Sequence, residues 1–526
     1  ARRPELGSES NSLRSNFVIM EKITKFDLSE FYSLPNSGLL AYFQHTKTGS
    51  QEDIRPPFWE GESRDKVTQM WDAEFETGHV DNVMPGLVAY EEEMRKKIGP
   101  LSIQKPLSER IGKIEEYYTD VTLPSVPIRE DAVQAYLRTV KPVKVQKRGV
   151  ARTLEKMRLS TNSGSPDFTR RKKVSSLRDI ERQLAWVKRV ATLGWRGQEG
   201  GPDPDDVKQR VLFMFPFVDN LQELQFYQPL IEQWQHYNVN SALISMRAVE
   251  EKLTRLFDTK GKDDYCVVTD FTGFDQHFNK DLQQAARKCL EFQLYNAQQW
   301  LEEVFPIKYS IPLVCSENLM FTGDHGMGSG SGGTNPDEDM AHGCMQHEVA
   351  IASGKRLNPN SNAYGDDGYL SYPGIDVDRV IEIYSSHGQV MNPSKQSVSK
   401  HSAVYLRRYF HDSYRDKTGI MLGAYSTYRA LGRLLGQERY IPFEEGSGEY
   451  SRYVVLRALS ILENCNNHPL FTKFVDFVMK GDKYKLGLGI PGFLDSLDKQ
   501  VKRAMAADSN VFGFTKDIQR SARGIN

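Results

Sequence analysis

Cysteine is scarce in this sequence: Cys266, Cys289, Cys315, Cys344 and Cys465 are the five among 526 residues, and no two form a C-x-x-C pair. That spacing excludes a zinc ribbon and a disulfide framework and points to a reducing compartment. Long apolar runs are missing as well. No stretch approaches the ~18 residues of a membrane span and no apolar leader opens the chain, so neither membrane insertion nor secretion is expected. Net charge is almost absent at -1, which argues neither for nor against a nucleic-acid partner. Internal repeats and long low-complexity tracts are lacking, and no G-x-x-x-x-G-K-[ST] loop of a Walker-type ATPase occurs. What is present is 39% apolar residues and 11% aromatics, enough for sizeable cores in a chain of roughly two to four subdomains.

Charge is unevenly spread. Arg138–Arg189 holds 16 Lys/Arg against 4 Asp/Glu, a surface suited to phosphates or simply a solvated basic face. Its densest run, Arg170-Arg171-Lys172-Lys173, reads as a phosphate contact in preference to a nuclear-localisation-like signal. Leu177, Ile180, Leu184 and Val187 recur at helical spacing, so a helix with one apolar face is expected over Ser175–Val190. The first 95 residues are polar with aromatic islands such as Phe31-Tyr32 and Phe58-Trp59, which need a surface to bury against. They read as an arm packed on a later domain. The last hundred residues are helical by pattern, with Phe471, Phe474, Val475 and Val478 forming a core-facing stripe.

Several stretches carry chemistry. Lys208 and Arg210 share one face of a strand over Val207–Pro216, where two cations could clamp a triphosphate or stay solvated. An apolar, β-branched run from Tyr265 ends at Asp270, and Asp275 follows ahead of a helix over Lys280–Tyr295. Strand ends and helix starts hold ligand groups, although Asp275 could serve only as an N-cap. A glycine-rich segment, Gly326 to Asn335, contains Ser329, Gly330 and Thr334 and runs into a helix expected over Glu338–Ser353. Glycines there let backbone and hydroxyls approach a ligand closely. Asn362 to Leu370 reads as strand, tight turn, strand, with Asp366 and Asp367 at the tip. Two carboxylates that close are costly unless a cation neutralises them, which makes the tip a candidate metal site; a solvated turn is the plainer alternative. Downstream, Lys395 follows a turn, and Ala403–Phe410 reads as a strand carrying Arg407 and Arg408.

Taken in order, Asp270-x4-Asp275, Ser329-Gly330-x3-Thr334, Gly365-Asp366-Asp367 and a downstream lysine resemble the viral RNA-dependent RNA polymerases, over roughly Val207–Phe410. Asp-Phe-Thr-Gly-Phe-Asp-Gln-His-Phe and Ser-Gly-Ser-Gly-Gly-Thr-Asn are most similar to the picobirnavirus members. The resemblance implies an α+β right-hand fold of fingers, palm and thumb, with an antiparallel palm sheet flanked by helices and with fingertip–thumb connections. It would divide the chain into an arm linking fingers and thumb (1–95), fingers with a basic template and NTP channel (96–240), a palm with a fingers insertion around 276–320 (241–410), and a helical thumb with tail (411–526). Asp270 and Asp366 would hold two Mg²⁺ ions, with Mn²⁺ able to substitute, and Asp367 would support them. Lys395 would protonate departing pyrophosphate. Lys208 and Arg210 would hold the triphosphate, and Asp275, Ser329, Gly330, Thr334 and Asn335 would face the nucleotide and its ribose 2′-hydroxyl. Arg407 and Arg408 would grip the nascent strand. The implied partners are RNA template and product, NTPs and a viral capsid protein, for a monomer working in the virion interior and host-cell cytoplasm. One position departs: many relatives carry an asparagine four residues after the threonine, and here Glu338 stands there. The partner of Asp275 in ribose selection is therefore open.

Two other readings compete. A reverse transcriptase or DNA polymerase could use the same palm, but Asp275 beside the sugar, in place of a bulky steric residue, argues against it. A non-catalytic RNA-binding or capsid-associated protein could keep the shape, but retention of Asp270, Asp366 and Asp367 argues against that.

Overall fold

The computed structural model describes residues 17–506; the outer ends of the expected arm and tail lie outside these residues. Two sheets organise it. The first is mixed and ordered β1 (Glu21–Ile23), β6 (Leu319–Thr322), β5 (Leu313–Ser316), β2 (Ala191–Gln198), β3 (Lys208–Met214). The second is antiparallel and ordered β7 (Asn362–Tyr364), β8 (Asp367–Leu370), β4 (Cys266–Thr269), β9 (Ser397–Ser399). A smaller sheet of β10 (Ser402–Tyr405), β11 (Arg408–His411) and β12 (Ala424–Tyr425) adjoins it.

The central strand β4 is buried along its whole length. Because side chains alternate across a strand, Val267 joins the core of helices Lys280–Gln293 and Thr334–Ala352, while Cys266 and Val268 meet helix Met246–Thr259 on the other face. This sandwich fixes the end of β4, and with it Asp270, as a rigid point. Among the described residues no helix is long and apolar enough to cross a membrane.

The aromatic islands of the first 95 residues find two separate surfaces. Tyr32, Leu39 and Phe43 pack beneath the first sheet, and β1 pairs with β6. Helices Arg64–Glu76 and Leu87–Arg95 instead share a core with helices Thr427–Leu435, Gly448–Glu463 and Phe471–Gly481. There Trp71 lies 4.9 Å from Phe474 and 5.3 Å from Phe477, ring to ring, and its indole N–H donates to Thr427 Oγ1 at 3.0 Å. Of the C-terminal stripe, Phe474 and Val478 are fully buried and Phe471 and Val475 pack at its edge.

Three expectations are corrected. The helix expected over Ser175–Val190 ends at Ala185, and Leu177, Leu184 and Val187 face solvent while Ile180 and Gln183 turn inward. The cause is Arg189: its guanidinium pairs with Asp219 and takes the carbonyls of Gln183, Leu184 and Trp186, which stops the helix. The expected strand Ala403–Phe410 is a hairpin, because Leu406 and Arg407 adopt φ of 51° and 64° between paired Tyr405 and Arg408. The helix expected from Glu338 starts at Thr334; Pro336 fits in the first turn, where no intrahelical N–H bond is needed.

Part of the basic surplus of 138–189 is committed. Arg148 and Lys156 pair with Glu232, Arg152 with Glu155, Arg182 with Asp167, Lys188 with Glu30 and Arg189 with Asp219. Within the densest run Arg171 folds inward over the Phe217 ring and onto the Asn162 carbonyl, so the run does not present four cations to solvent.

Candidate active site

The antiparallel sheet assembles the acidic cluster. β7 and β8 close a two-residue turn at Gly365-Asp366, with Tyr364 opposite Asp367 and Gly365 at φ 62°. That left-handed backbone favours glycine. β8 pairs with β4 through Thr269↔Gly368, so the register carried one residue further sets Asp270 against Asp367. β9 flanks the other side, and Gln396 locks it: Asp270 N–H donates to its Oε1 at 2.8 Å and its Nε2 donates to the Asp270 carbonyl at 2.9 Å. This places Lys395 as the foremost positive influence on the Asp270 carboxyl.

The electrostatics are strained in one direction. Burial raises Asp270, with Lys395, Lys97 and Lys208 pulling it back. Burial also raises Asp366, to which the Asp275 charge adds and which Arg210 opposes. Asp367 is pushed up to about 7 by burial, against the Leu406 N–H that donates to its Oδ2 at 2.9 Å. Three carboxyls thus gather where solvent and neighbouring cations do not fully neutralise them, and oxygen donors of this kind suit a hard divalent cation. Among the described residues no three His, Cys, Asp or Glu side chains enclose an ion by themselves. The remaining positions of any metal shell fall to water and substrate oxygens, the arrangement Mg²⁺ favours.

β3 supplies cations across the cleft. Lys208 and Arg210 are exposed on one face, and β2 sets Arg196 directly opposite Arg210. Like charges facing each other on a sheet are unfavourable unless an anion lies between them. Arg210 also reaches Asp275 at 3.6 Å. The Asp275 carboxyl is buried and caps no helix, since Asn279 holds the N-cap of Lys280–Gln293.

The glycine-rich segment lies against β3. A side chain at Gly330 would place its Cβ 1.7 Å from the Phe213 carbonyl oxygen, so only glycine fits. Ser329 donates to the Val211 carbonyl at 3.1 Å and Thr334 to the Ser331 carbonyl at 3.1 Å. With their protons spent, both hydroxyl oxygens are left as acceptors. Asn335 Nδ2 donates to the Tyr364 hydroxyl at 3.2 Å, joining this segment to the Asp-Asp hairpin.

Two acids beside the segment carried no signal in the sequence as ligands. Glu223, in helix Phe217–His236, accepts from the Ser331 hydroxyl and from Gly332 N–H at 3.3 Å, and burial pushes it up to about 7. Glu338, the position that departs from the asparagine pattern, is buried and hydrogen-bonded to Asp275. Burial and the neighbouring Asp275 charge hold it well above the ordinary carboxyl range. Lys97, near the end of helix Leu87–Arg95, also faces Asp270 and was unmarked, being one of three basic residues in a row.

The arginine pair separates. Arg407 is exposed on the β10–β11 turn, its carbonyl held by the Tyr90 hydroxyl at 2.9 Å. Arg408 is buried, donating to the Leu406 carbonyl at 3.2 Å and Asn464 Oδ1 at 3.3 Å. It braces the turn whose Leu406 N–H steadies Asp367, and only Arg407 can reach a ligand.

No family model matches the chain. It is 45% identical over 509 residues to a protein of Human picobirnavirus (strain Human/Thailand/Hy005102/-) described as a potential RNA-dependent RNA polymerase, covering 93% of this chain and 94% of that protein. Its fold is similar to the crystal structure of the RNA-dependent RNA polymerase of a human picobirnavirus, with TM-score 0.86 and 44% identity over 91% of this chain and 93% of the other. An insertion-loop deletion mutant of such a polymerase matches with TM-score 0.86 and 43% identity, over 94% and 98% of the two chains.

Proposed function

Because this chain belongs to the picobirnavirus RNA-dependent RNA polymerases, it is an RNA-directed RNA polymerase with a right-hand fold, and we propose the following roles for its parts. The mixed sheet forms the fingers, the antiparallel sheet the palm and the C-terminal helices the thumb. Residues 21–98 span from the first of these to the last as a closing arm. The observation that carries the reading is the convergence of Asp270, Asp366 and Asp367 at the end of one sheet, opposite Lys208 and Arg210.

Divalent cations, which we assign as two Mg²⁺, supply charge neutralisation at the primer 3′-hydroxyl and the triphosphate. Asp270 and Asp366 hold them, and Asp367, fixed by Leu406 N–H, keeps the hairpin in register. Lys208, Arg210 and Arg196 draw in and orient the triphosphate. Lys395 gives its proton to the departing pyrophosphate oxygen. Asp275 accepts a hydrogen bond from the ribose 2′-hydroxyl, and the oxygens of Ser329 and Thr334 flank it. Gly330 lets the segment approach the nucleotide, Asn335 ties that segment to the hairpin, and Arg407 contacts the nascent strand. RNA and NTPs are the working partners. We also propose a capsid protein as partner, and a monomer working in the virion interior and host-cell cytoplasm; the family likeness is what supports this.

The test is incorporation of labelled NTPs on a short RNA template with and without a chelator. Synthesis should require the metal, whereas RNA binding should survive its removal. RNA binding without synthesis under any divalent metal or primer condition would favour a structural role. Asp275→Ala should lower discrimination between NTP and dNTP by about tenfold or more, the worth of one hydrogen bond to a charged group. Unchanged selectivity would remove Asp275 from ribose recognition. Lys395→Leu should slow single-nucleotide addition by about 10²-fold, the scale of one general acid; an unaltered rate would exclude that lysine as the proton donor.

A further inference from the structure

Behind the Asp-Asp hairpin lies a second cavity, of about 600 Å³, that none of the catalytic carboxylates lines. Arg138, Lys252, Lys355 and Arg356 line it, with His347 and the carboxyl of Asp339. Lys252 is 9% exposed. Among the described residues, none of these four cations has a side-chain ion pair, hydrogen bond or ring partner. Several other withdrawn cations do pair with acids: Arg189 with Asp219, Lys308 with Asp337, Arg429 with Glu199.

Asp339 does not supply the missing charge. It accepts from Gly365 N–H and from Asn240 Nδ2 at 2.7 Å, and burial holds its carboxyl well above the usual range. Burial and Arg255 lower the Lys252 ammonium to about 8, the behaviour of a cation lacking a counterion. His347 is also depressed, by burial and Arg138, and stays neutral. Arg138, Lys355 and Arg356 are exposed at the rim while Lys252 is withdrawn without a counterion, so the four cations converge on one hollow and suit an anion of several charges. The volume lies within the range of small-molecule sites, which runs to roughly 300–1,000 Å³. Arginines offer bidentate forks and lysines point charges, the pairing that holds phosphates. Tyr136, Ile351 and Leu357 give the same cavity an apolar wall.

We propose that this cavity binds the polyphosphate group of a free nucleotide, at a site separate from the catalytic one. The hairpin backbone forms the partition: Asn240 Nδ2 also donates to the Ala363 carbonyl at 2.9 Å from the cavity side.

Pyridoxal 5′-phosphate, a phosphate-bearing aldehyde, tests this on the full chain. The Lys252 amine condenses with the aldehyde to an imine, releasing water, and borohydride then delivers hydride to the imine carbon. Peptide mapping should find Lys252 labelled, and ATP or inorganic pyrophosphate without divalent metal should protect it. Equal protection by both would place recognition in the polyphosphate alone; stronger protection by ATP would add the nucleoside, and either outcome supports the site. Arg356→Ser, a surface change with no folding cost, should weaken protection about tenfold, one charge-assisted bond's worth. It should leave single-nucleotide addition on a preformed primer–template unchanged, so failure here is separable from failure of the polymerase assignment. No label at Lys252, or label that neither ATP nor pyrophosphate blocks, would overturn the proposal. Protection only by a 5′-hydroxyl RNA oligomer would overturn it too, making the surface a backbone contact.

Discussion

Asp366→Ala should reduce RNA synthesis by about three orders of magnitude or more while RNA binding persists, because charge stabilisation by a bound metal is worth several kcal/mol at the transition state. Asp366 sits at the hairpin turn, exposed at the cleft, where desolvation and the Asp275 and Asp270 charges raise its pKa and Arg210 opposes them. Removing it relieves like-charge repulsion, so the fold should lose no stability and the defect should be confined to chemistry. The cations proposed to meet RNA and triphosphate, Lys208, Arg210 and Arg407, are untouched. Filter binding of RNA beside single-nucleotide addition separates the two effects. Retained addition in the variant would sink the assignment of Asp366 as a metal-holding residue.

The second large effect is structural. Lys308 and Asp337 form an ion pair of 3.0 Å with both side chains wholly buried, in a ring of Tyr227, Phe305 and Tyr309. The Tyr227 and Tyr309 hydroxyls donate to Asp337 at 2.7 and 2.6 Å, and Lys308 donates to the Phe305 carbonyl at 2.7 Å. Removing one partner of such a pair leaves an uncompensated buried charge, at a cost of about 3–5 kcal/mol. Lys308→Met should fall toward the lower end, since the two tyrosine donors remain on Asp337. The unfolding midpoint in denaturant should drop accordingly. Lys308→Met combined with Asp337→Leu should recover much of the loss, since the combination removes the stranded charge as well. A single variant as stable as the parent would show that this pair does not hold the core. Activity should also suffer, because Gly328 N–H donates to the Lys308 carbonyl at 2.9 Å and Asp337 N–H to the Gly333 carbonyl at 3.0 Å, at the two ends of the glycine-rich segment.

Much of the site was legible because its constraints are local. Gly365-Asp366 favours a turn whatever surrounds it, and Asp270 closes an unbroken apolar, β-branched run of the kind a strand buried on both faces shows. The right-hand fold was implied by the family resemblance that the ordered motifs carry, and the aromatic islands of the first 95 residues announced that they needed a partner surface. Other features are tertiary in origin. The apolar spacing of Leu177, Leu184 and Val187 is a genuine local pattern, yet Arg189 ends the helix by bonding its carbonyls, and no hydrophobic partner meets that face. Arg407 and Arg408 are adjacent in sequence, but a left-handed turn sends one to solvent and the other under Asn464. Lys97 and Arg196 reach the cleft only because separate elements fold against it. The charge of Arg138–Arg189 was countable from composition, whereas its commitment to Glu30, Asp219 and Glu232 depends on residues distant in sequence. Sequence alone determined the chemistry available and the turns and strands that carry it, because these follow from neighbouring residues. Only tertiary structure decided which charges are neutralised and which are left facing a cavity, because ion pairing and burial depend on residues that the fold, not the chain order, makes neighbours.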